Sequence, residues 1–536
     1  MRPVSPWFIP DVALVAATVT LFYCLFLFQG YQKLFRDSDA GWHIRTGETI
    51  LATGQFPRAD PYSFTRAGEP WFAWEWGSDV LAGAAHRAAG LSGVALLYGV
   101  AIAASVWLWF RLHWAVEGNF LLACAMAPLM LTTCSLHWLA RPHVFGWLFL
   151  LCAVLWAETG AWKRVWLLAI FMALWANLHA SFFLGIAVAL LYAIGGRVSW
   201  WTVPVCAIAP LANPYGWHLY QHVFRYLTDS ELLSRIGEYQ SFDYHTPGSW
   251  QVMATVILGI AGGTLAATQR RWERFGLAML ISAMALRSAR GLPLAALVLL
   301  PLANGAITTT WNPGAYVKRL RALDARFYGL ALAPAMVLAA FFLLRHLPVG
   351  FPRDQFPVDA YAHIPAEARL FAPDKFGGYL IYRSNGTRKV FFDGRSDFYG
   401  AEFLKQYGRM VQVRPGWRAT WDSFHFTHAL IPNDFPLIPA LEQIGWRVVY
   451  QDGTATLLEG GLQPGPPLGR GFSPARWPHS GAEAPRGLKA SLPSARNLNM
   501  SSVLKQDIGR VFCSGGGVPK ARVWQILTPD FWLLTS

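Results

Sequence analysis

Residues 7–28 read WFIPDVALVAATVTLFYCLFLF, an apolar run broken by one acid, Asp11, and by no base. A helix needs about 20 such residues to cross the hydrocarbon of a bilayer. The run is longer than a signal-peptide core, and no small-residue cleavage site precedes the next polar segment, so it reads as an uncleaved first span. Ten further apolar stretches follow, near 91–110, 119–137, 143–157, 164–178, 181–196, 199–212, 250–267, 275–286, 291–307 and 327–345. Charges are confined to the gaps between them. The composition agrees: 54% of the 536 residues are hydrophobic and 14% are charged, against about 25% charged in an average soluble protein. The expected fold class is a polytopic α-helical membrane protein of about eleven spans with a small extracytoplasmic α/β domain.

The net charge of +14 raises the question of a nucleic-acid partner, and its distribution answers it. Nine Lys and Arg against three acids follow Gly460, and much of the rest lies in short loops. With the amino terminus in the cytoplasm, the inward loops carry Arg111, Lys163, Arg164, Arg197, Arg270, Arg271, Arg274, Lys318, Arg319, Arg321 and Arg326. That is the distribution the positive-inside rule requires, so no nucleic acid is expected and the contacts are with membrane lipids. Five of the six cysteines fall in apolar stretches and Cys513 lies in the tail. No C-x-x-C pair or zinc-like spacing occurs, so neither a disulfide framework nor a structural zinc is expected.

The outward side is chemically richer. It receives a long first loop, 30–90, short turns at Arg141, His179 and Arg287, a loop at 213–249, and everything after 348. Within the first loop, 39–56 has the period of an amphipathic helix whose Trp42, Ile44, Ile50 and Leu51 can meet the membrane interface. A second helix is expected over 74–89, ending at Gly90. The chain divides into a transmembrane part, 1–346, an α/β domain, 347–459, and a low-complexity tail, 460–536, whose last apolar run is 523–534. Strand-like runs are 378–382, 389–392, 428–431, 446–450 and 454–458, with helices near 401–413, 418–424 and 437–444.

The candidate chemistry starts directly after the first span, where residues 35–48 read FRDSDAGWHIRTGE. Asp37 and Asp39 can bind a divalent cation or leave one carboxylate as a general base. Alternatively, Asp39 is the N-cap of the helix that follows. Arg141, Arg287 and Arg290, each at the outer end of a span, can hold a phosphate or snorkel to headgroups. His43, His143, His179 and Glu238 are candidate substrate contacts, and His143 and His179 can alternatively ligate a metal together with Asp37 or Asp39. Glu75 joins them because it stands between Trp74 and Trp76, and indole faces stack on sugar rings. The turn 391–400 offers Asp393, Arg395 and Asp397 as an acceptor-binding edge or as a local ion pair. No G-x-S-x-G elbow, P-loop or dinucleotide fingerprint is present.

A first span, an outer loop with an acidic pair and two interfacial helices, many further spans and an outer C-terminal domain resemble the GT-C class of polyprenyl-phosphate-sugar glycosyltransferases, which includes protein O-mannosyltransferases and aminoarabinose transferases. DSDAGWHIRTGE at 37–48, DPYSFT at 60–65 and RPH at 141–143 look like a bacterial branch of that class. The resemblance implies an inverting transferase of the bacterial inner membrane. Its donor would be a polyprenyl-phosphate sugar and its acceptor a glycan, lipid or protein. Asp37 or Asp39 would deprotonate the acceptor, and a divalent cation, Mg or Mn, would sit at the same pair if one is used. The Asp-Glu pair of the O-mannosyltransferases is Asp-Ser-Asp here, so their acceptor and metal use do not carry over. The rival readings are a flippase for a lipid-linked glycan and a non-catalytic assembly protein.

Overall fold

The structure is a computed structural model and describes residues 6–312 and 314–460. The tail, Cys513 and the run 523–534 lie outside the described residues. All eleven apolar stretches are helical over most of their length. Among the described residues, four helical segments are long and apolar enough to cross a membrane: Pro6–Lys33, Trp76–Ala115, Ser249–Thr268 and Ala289–Thr310. Six further apolar helices have 10–17 residues, short of the ~20 a perpendicular crossing needs. The helix Trp272–Arg287 belongs to neither group; its first turn carries Glu273 and Arg274, which are buried in ion pairs with Arg271 and Glu158. Val19, Trp166, Leu174, Ile194, Ile257 and Phe342 stand on the outside of these helices. Apolar outer faces of this kind suit lipid rather than water.

Local signals set the helix ends. The Asp11 carboxylate accepts from the Leu14 N–H at 2.8 Å at the start of Val12–Phe26. Asn119 does the same for Leu121 and Leu122 at the start of Phe120–Ser135. Such caps satisfy N–H groups that the first helical turn leaves unpaired. The expected helix at 74–89 and the span at 91–110 are two arms of one bent helix, Trp76–Ala115, broken at Ala89 and Gly90. Gly90 sits at φ 59°, ψ −151°, a conformation open to glycine and strained for other residues.

The helix Asp39–Thr53 forms nearly where expected, but its apolar face does not meet a membrane interface. Trp42, Ile44 and Ile50 are buried, in a helix packed against the first arm of Trp76–Ala115 and the helix Asp374–Arg383. Only Leu51 of the four is exposed. Glycines permit this approach: a Cβ at Gly41 would overlap the Gly378 carbonyl, and one at Gly47 the Asp79 carbonyl.

The carboxy-terminal described segment carries a four-stranded sheet of order β1-β2-β4-β3, with β1 Leu370–Phe371, β2 His428–Pro432, β3 Arg447–Gln451 and β4 Ala455–Glu459. β1 runs parallel to β2, and β4 is antiparallel to β2 and β3, with Leu430 opposite Leu457. Three of the five strand-like runs are these strands, and the helices Ser396–Val411, Trp417–Ser423 and Leu437–Gln443 answer the three expected ones. Two runs are corrected. Residues 378–382 are helical, inside Asp374–Arg383, and 389–392 makes only the isolated bridge Ser63 to Val390. In the first case Gly377 and Gly378 lie against Asp393 and Ser38, and Tyr379, Leu380 and Ile381 are all buried. A helix covered on more than one side loses the period that would distinguish it from a strand.

Candidate functional site

Pinning of the first loop to a distant turn creates the site. Leu34 O accepts from Ala140 N at 2.8 Å, and the Arg36 guanidinium donates to Ser135 O at 3.0 Å and Leu136 O at 2.8 Å. The next residue of that turn, Arg141, therefore faces the acidic pair. Asp37, not Asp39, serves the helix start: its Oδ1 accepts from Asp39 N at 2.9 Å. Its other oxygen takes Arg141 Nη1 at 2.7 Å. Asp39 Oδ2 takes Arg141 Nη2 at 2.8 Å, and the Asp39 carboxylate rests against Gly394 so closely that any Cβ there would overlap it.

Glu238 arrives from the second large loop. Ser288 Oγ donates to its backbone carbonyl at 2.9 Å, and Ala289 N donates to Gln240 O at 2.9 Å. The side chain then bridges two arginines, with Oε1 2.9 Å from Arg141 Nη1 and Oε2 2.5 Å from Arg290 Nη2. Arg290 also lies over the Tyr239 ring, 4.8 Å from its centroid, and donates to the hydroxyl at 3.0 Å. Five of the expected residues, Asp37, Asp39, Arg141, Glu238 and Arg290, thus form one continuous network.

Beside it is a buried set that includes three more. Glu75 Oε1 is 3.3 Å from His179 Nε2 and Oε2 is 4.0 Å from His43 Nε2. His43 Nδ1 contacts Asp79 Oδ1 at 2.6 Å, while Asp79 Oδ2 has no hydrogen-bond partner among the described residues. His179 Nδ1 meets Ser181 Oγ at 2.7 Å. His43 is therefore enclosed between carboxylates rather than presented on an open face. His143 turns its Nε2 to the His137 carbonyl at 2.8 Å. Arg287 is exposed and no ion pair joins it to the network. Trp76 points elsewhere, its indole N–H donating to Asn177 Oδ1 at 2.6 Å.

The electrostatics separate the carboxylates. Burial pushes Asp39 up to about 7, with Arg141 opposing and Asp37 and Glu238 assisting. Burial pushes Glu75 up to about 8 against the pull of Arg141 and Arg290. Burial works to raise Glu238 too, but Arg290 and Arg141 outweigh it and hold its carboxyl well below the usual range. Burial, then Arg290 and Arg141, push His179 down to about 3, so its imidazole is neutral. A proton acceptor near neutral pH, a fixed anion and two guanidiniums are the parts that acid–base chemistry beside a phosphate needs.

The turn 393–397 divides. Arg395 is buried and pairs with Asp393 Oδ2 at 2.8 Å and Asp60 Oδ1 at 2.7 Å, with Tyr399 donating to Asp393 at 2.9 Å. An acceptor cannot reach it, so the local ion pair is the correct reading there. Asp397 instead reaches toward Trp74 and His222. Sequence reading missed Asp79, His222 and Tyr239. Asp79 alone left a signal, an acid inside an apolar helix.

For a divalent cation the donor set does not fit. Among the described residues no group of three or more His, Cys, Asp or Glu is arranged to hold a metal ion, and a guanidinium already joins Asp37 to Asp39. Two clefts lie apart from the network, one of about 380 Å³ beside Trp156 and Lys163 and one of about 440 Å³ beside Arg45, Arg87 and Lys389.

No protein-family model matches the chain, and no curated protein does. Among solved structures, the chain is similar to the apo form of an oligosaccharyltransferase from Archaeoglobus fulgidus, with 12% identity and a TM-score of 0.49 over 78% of this chain and 69% of that one.

Proposed function

We propose that the protein is an integral-membrane glycosyltransferase of the GT-C kind. It moves a sugar from a polyprenyl-phosphate donor to a hydroxyl acceptor on the extracytoplasmic side of a bacterial inner membrane. The observation that carries this reading is the network itself: Arg141 joins Asp37 and Asp39 of the first loop to Glu238 of the second, and Glu238 joins Arg141 to Arg290.

In the reaction, the acceptor oxygen attacks the anomeric carbon, the bond from that carbon to the phosphate oxygen breaks, and the phosphate keeps the electron pair. Asp39 takes the acceptor proton. Its affinity near 7 matches the operating pH, which is where a general base is most effective. Arg141 and Arg290 face the phosphate as its charge grows, exchanging contacts with Glu238 for contacts with the leaving group. Asp37 stays on Arg141 and at the helix start, so it orients the guanidinium. Attack opposite the leaving group inverts the anomeric centre. No step runs through a metal.

The test is transfer by purified protein in proteoliposomes supplied with labelled polyprenyl-phosphate hexoses and an acceptor panel. Transfer or donor hydrolysis by wild type, lost in Asp39→Asn, supports the reading. Full activity in Asp37→Asn/Asp39→Asn overturns it, as does donor translocation without transfer, which points to a flippase.

A further inference from the structure

A second convergence of distant segments lies next to the network and the mechanism does not use it. Asp397, in the first turn of the helix Ser396–Val411, accepts the Trp74 indole N–H at 3.2 Å, and its same oxygen lies 3.0 Å from His222 Nε2. Those residues come from the carboxy-terminal segment, the first loop and the helix Trp217–Thr228. Despite that short distance, no aligned hydrogen bond holds His222 Nε2, so a hydroxyl in line with it would satisfy a buried polar atom.

Aromatic rings continue from this point toward Arg290. Trp74 and His222 are 5.5 Å apart between ring centroids, His222 and Tyr226 are stacked at 6.4 Å and 16°, and Tyr226 meets Tyr239 edge-on at 5.7 Å. Tyr239 carries the Arg290 guanidinium on its face. Trp74, His222, Tyr226, Tyr239 and Asp397 are each partly exposed, so the wall is not sealed core. Burial works to raise the Asp397 carboxylate, but His222, the backbone N–H and the Trp74 indole together outweigh it and hold it below its ordinary value. A pyranose ring presents an apolar C–H face and a set of hydroxyls. Aromatic faces with a carboxylate and an imidazole at one end match both.

We propose that Trp74, His222, Tyr226 and Asp397 form a hexose-ring subsite leading to Arg290, through which the carboxy-terminal segment selects the sugar. This rests on the transferase reading and deepens it. The ring belongs either to the donor or to a glycan acceptor, and kinetics separate the two: a raised KM for the donor alone assigns the donor, and for the acceptor alone the acceptor.

Saturation-transfer NMR with methyl hexosides, on the full chain in lipid nanodiscs, tests the subsite without requiring turnover. Wild type is expected to give ring-proton signals for at least one hexoside. Trp74→Ala and Asp397→Asn are expected to weaken them at least fivefold, while Trp74→Phe, which keeps a ring face, retains most of the signal. No signal from any hexoside with wild type, or wild-type signals in both Trp74→Ala and Asp397→Asn, overturns the subsite. Hexoside binding without sugar transfer upholds the subsite and overturns the transferase reading. Transfer with hexoside binding and both KM values unchanged in Trp74→Ala and Asp397→Asn does the reverse.

Discussion

Two arginine–carboxylate clusters each draw an acid from the first loop, Asp37 in one and Asp60 in the other, and they differ in how deeply they are buried. Arg395, with Asp60 and Asp393, has side chains 1%, 0% and 0% exposed, under the rings of Trp71 and Tyr62. Arg141, with Asp37, Asp39 and Glu238, has side chains 15%, 20%, 7% and 30% exposed. The first cluster joins the first loop to the carboxy-terminal segment and has no room for a substrate. The second joins two loops, and Arg141, Asp37 and Glu238 in it stay partly exposed while Asp39 lies deeper. An arginine that meets two acids is a clamp or a site according to whether a third party can enter, and burial decides which.

The comparison breaks most visibly at its two arginines. Arg141→Gln is expected to lower sugar transfer by roughly 10²–10³-fold while the thermal midpoint of the solubilised protein moves little. Arg395→Ala leaves two carboxylates buried without their cation and is expected to cost about 3–5 kcal/mol of stability, read as a large fall in the same midpoint. If the two variants exchange these phenotypes, the clusters have been assigned the wrong way round.

The pH profile sharpens the contrast. Asp39 titrates near 7 in the folded protein, up from 3.8, so transfer is expected to rise about tenfold per pH unit below 7 and level off above it. Stability moves in the opposite sense. The folded state keeps a proton that the unfolded chain releases, so this contribution falls as pH rises from about 4 to about 7. Asp39→Asn is expected to remove that fall, measured by denaturant unfolding across the window. A smaller effect is expected at the backing of the site. Gly394→Ala pushes a methyl group into the Asp39 carboxylate and should reduce transfer roughly 10- to 100-fold through displacement alone, with the base itself intact. The smallest is Arg287→Ala, an exposed change expected to alter transfer less than about twofold.

Much of the fold was legible because it follows from local chemistry. The apolar stretches became helices, Asn119 caps where a helix begins, and three short β-prone runs became strands. The failures share a cause. The runs 378–382 and 389–392 are packed by partners from the first loop, including Ser38 and Tyr62, and no local period records a partner more than 300 residues away. The same holds for the site. Asp37 and Asp39 stand out as a pair in the sequence, but nothing there says that Arg141 reaches both or that Arg287 reaches neither. His222 and Asp397 lie far apart in the sequence; Asp397 stands out only as a member of the 391–400 turn, and His222 reads as an ordinary polar residue until the chain is folded.

The most direct measurement is a cryo-EM structure of the protein in nanodiscs with a non-hydrolysable polyprenyl-phosphonate hexose. The account requires phosphonate oxygens within hydrogen-bond distance, about 3 Å, of Arg141 and Arg290, with the anomeric carbon beside Asp39. Density for the phosphonate at any other place, with the Arg141 network unaltered, would contradict it.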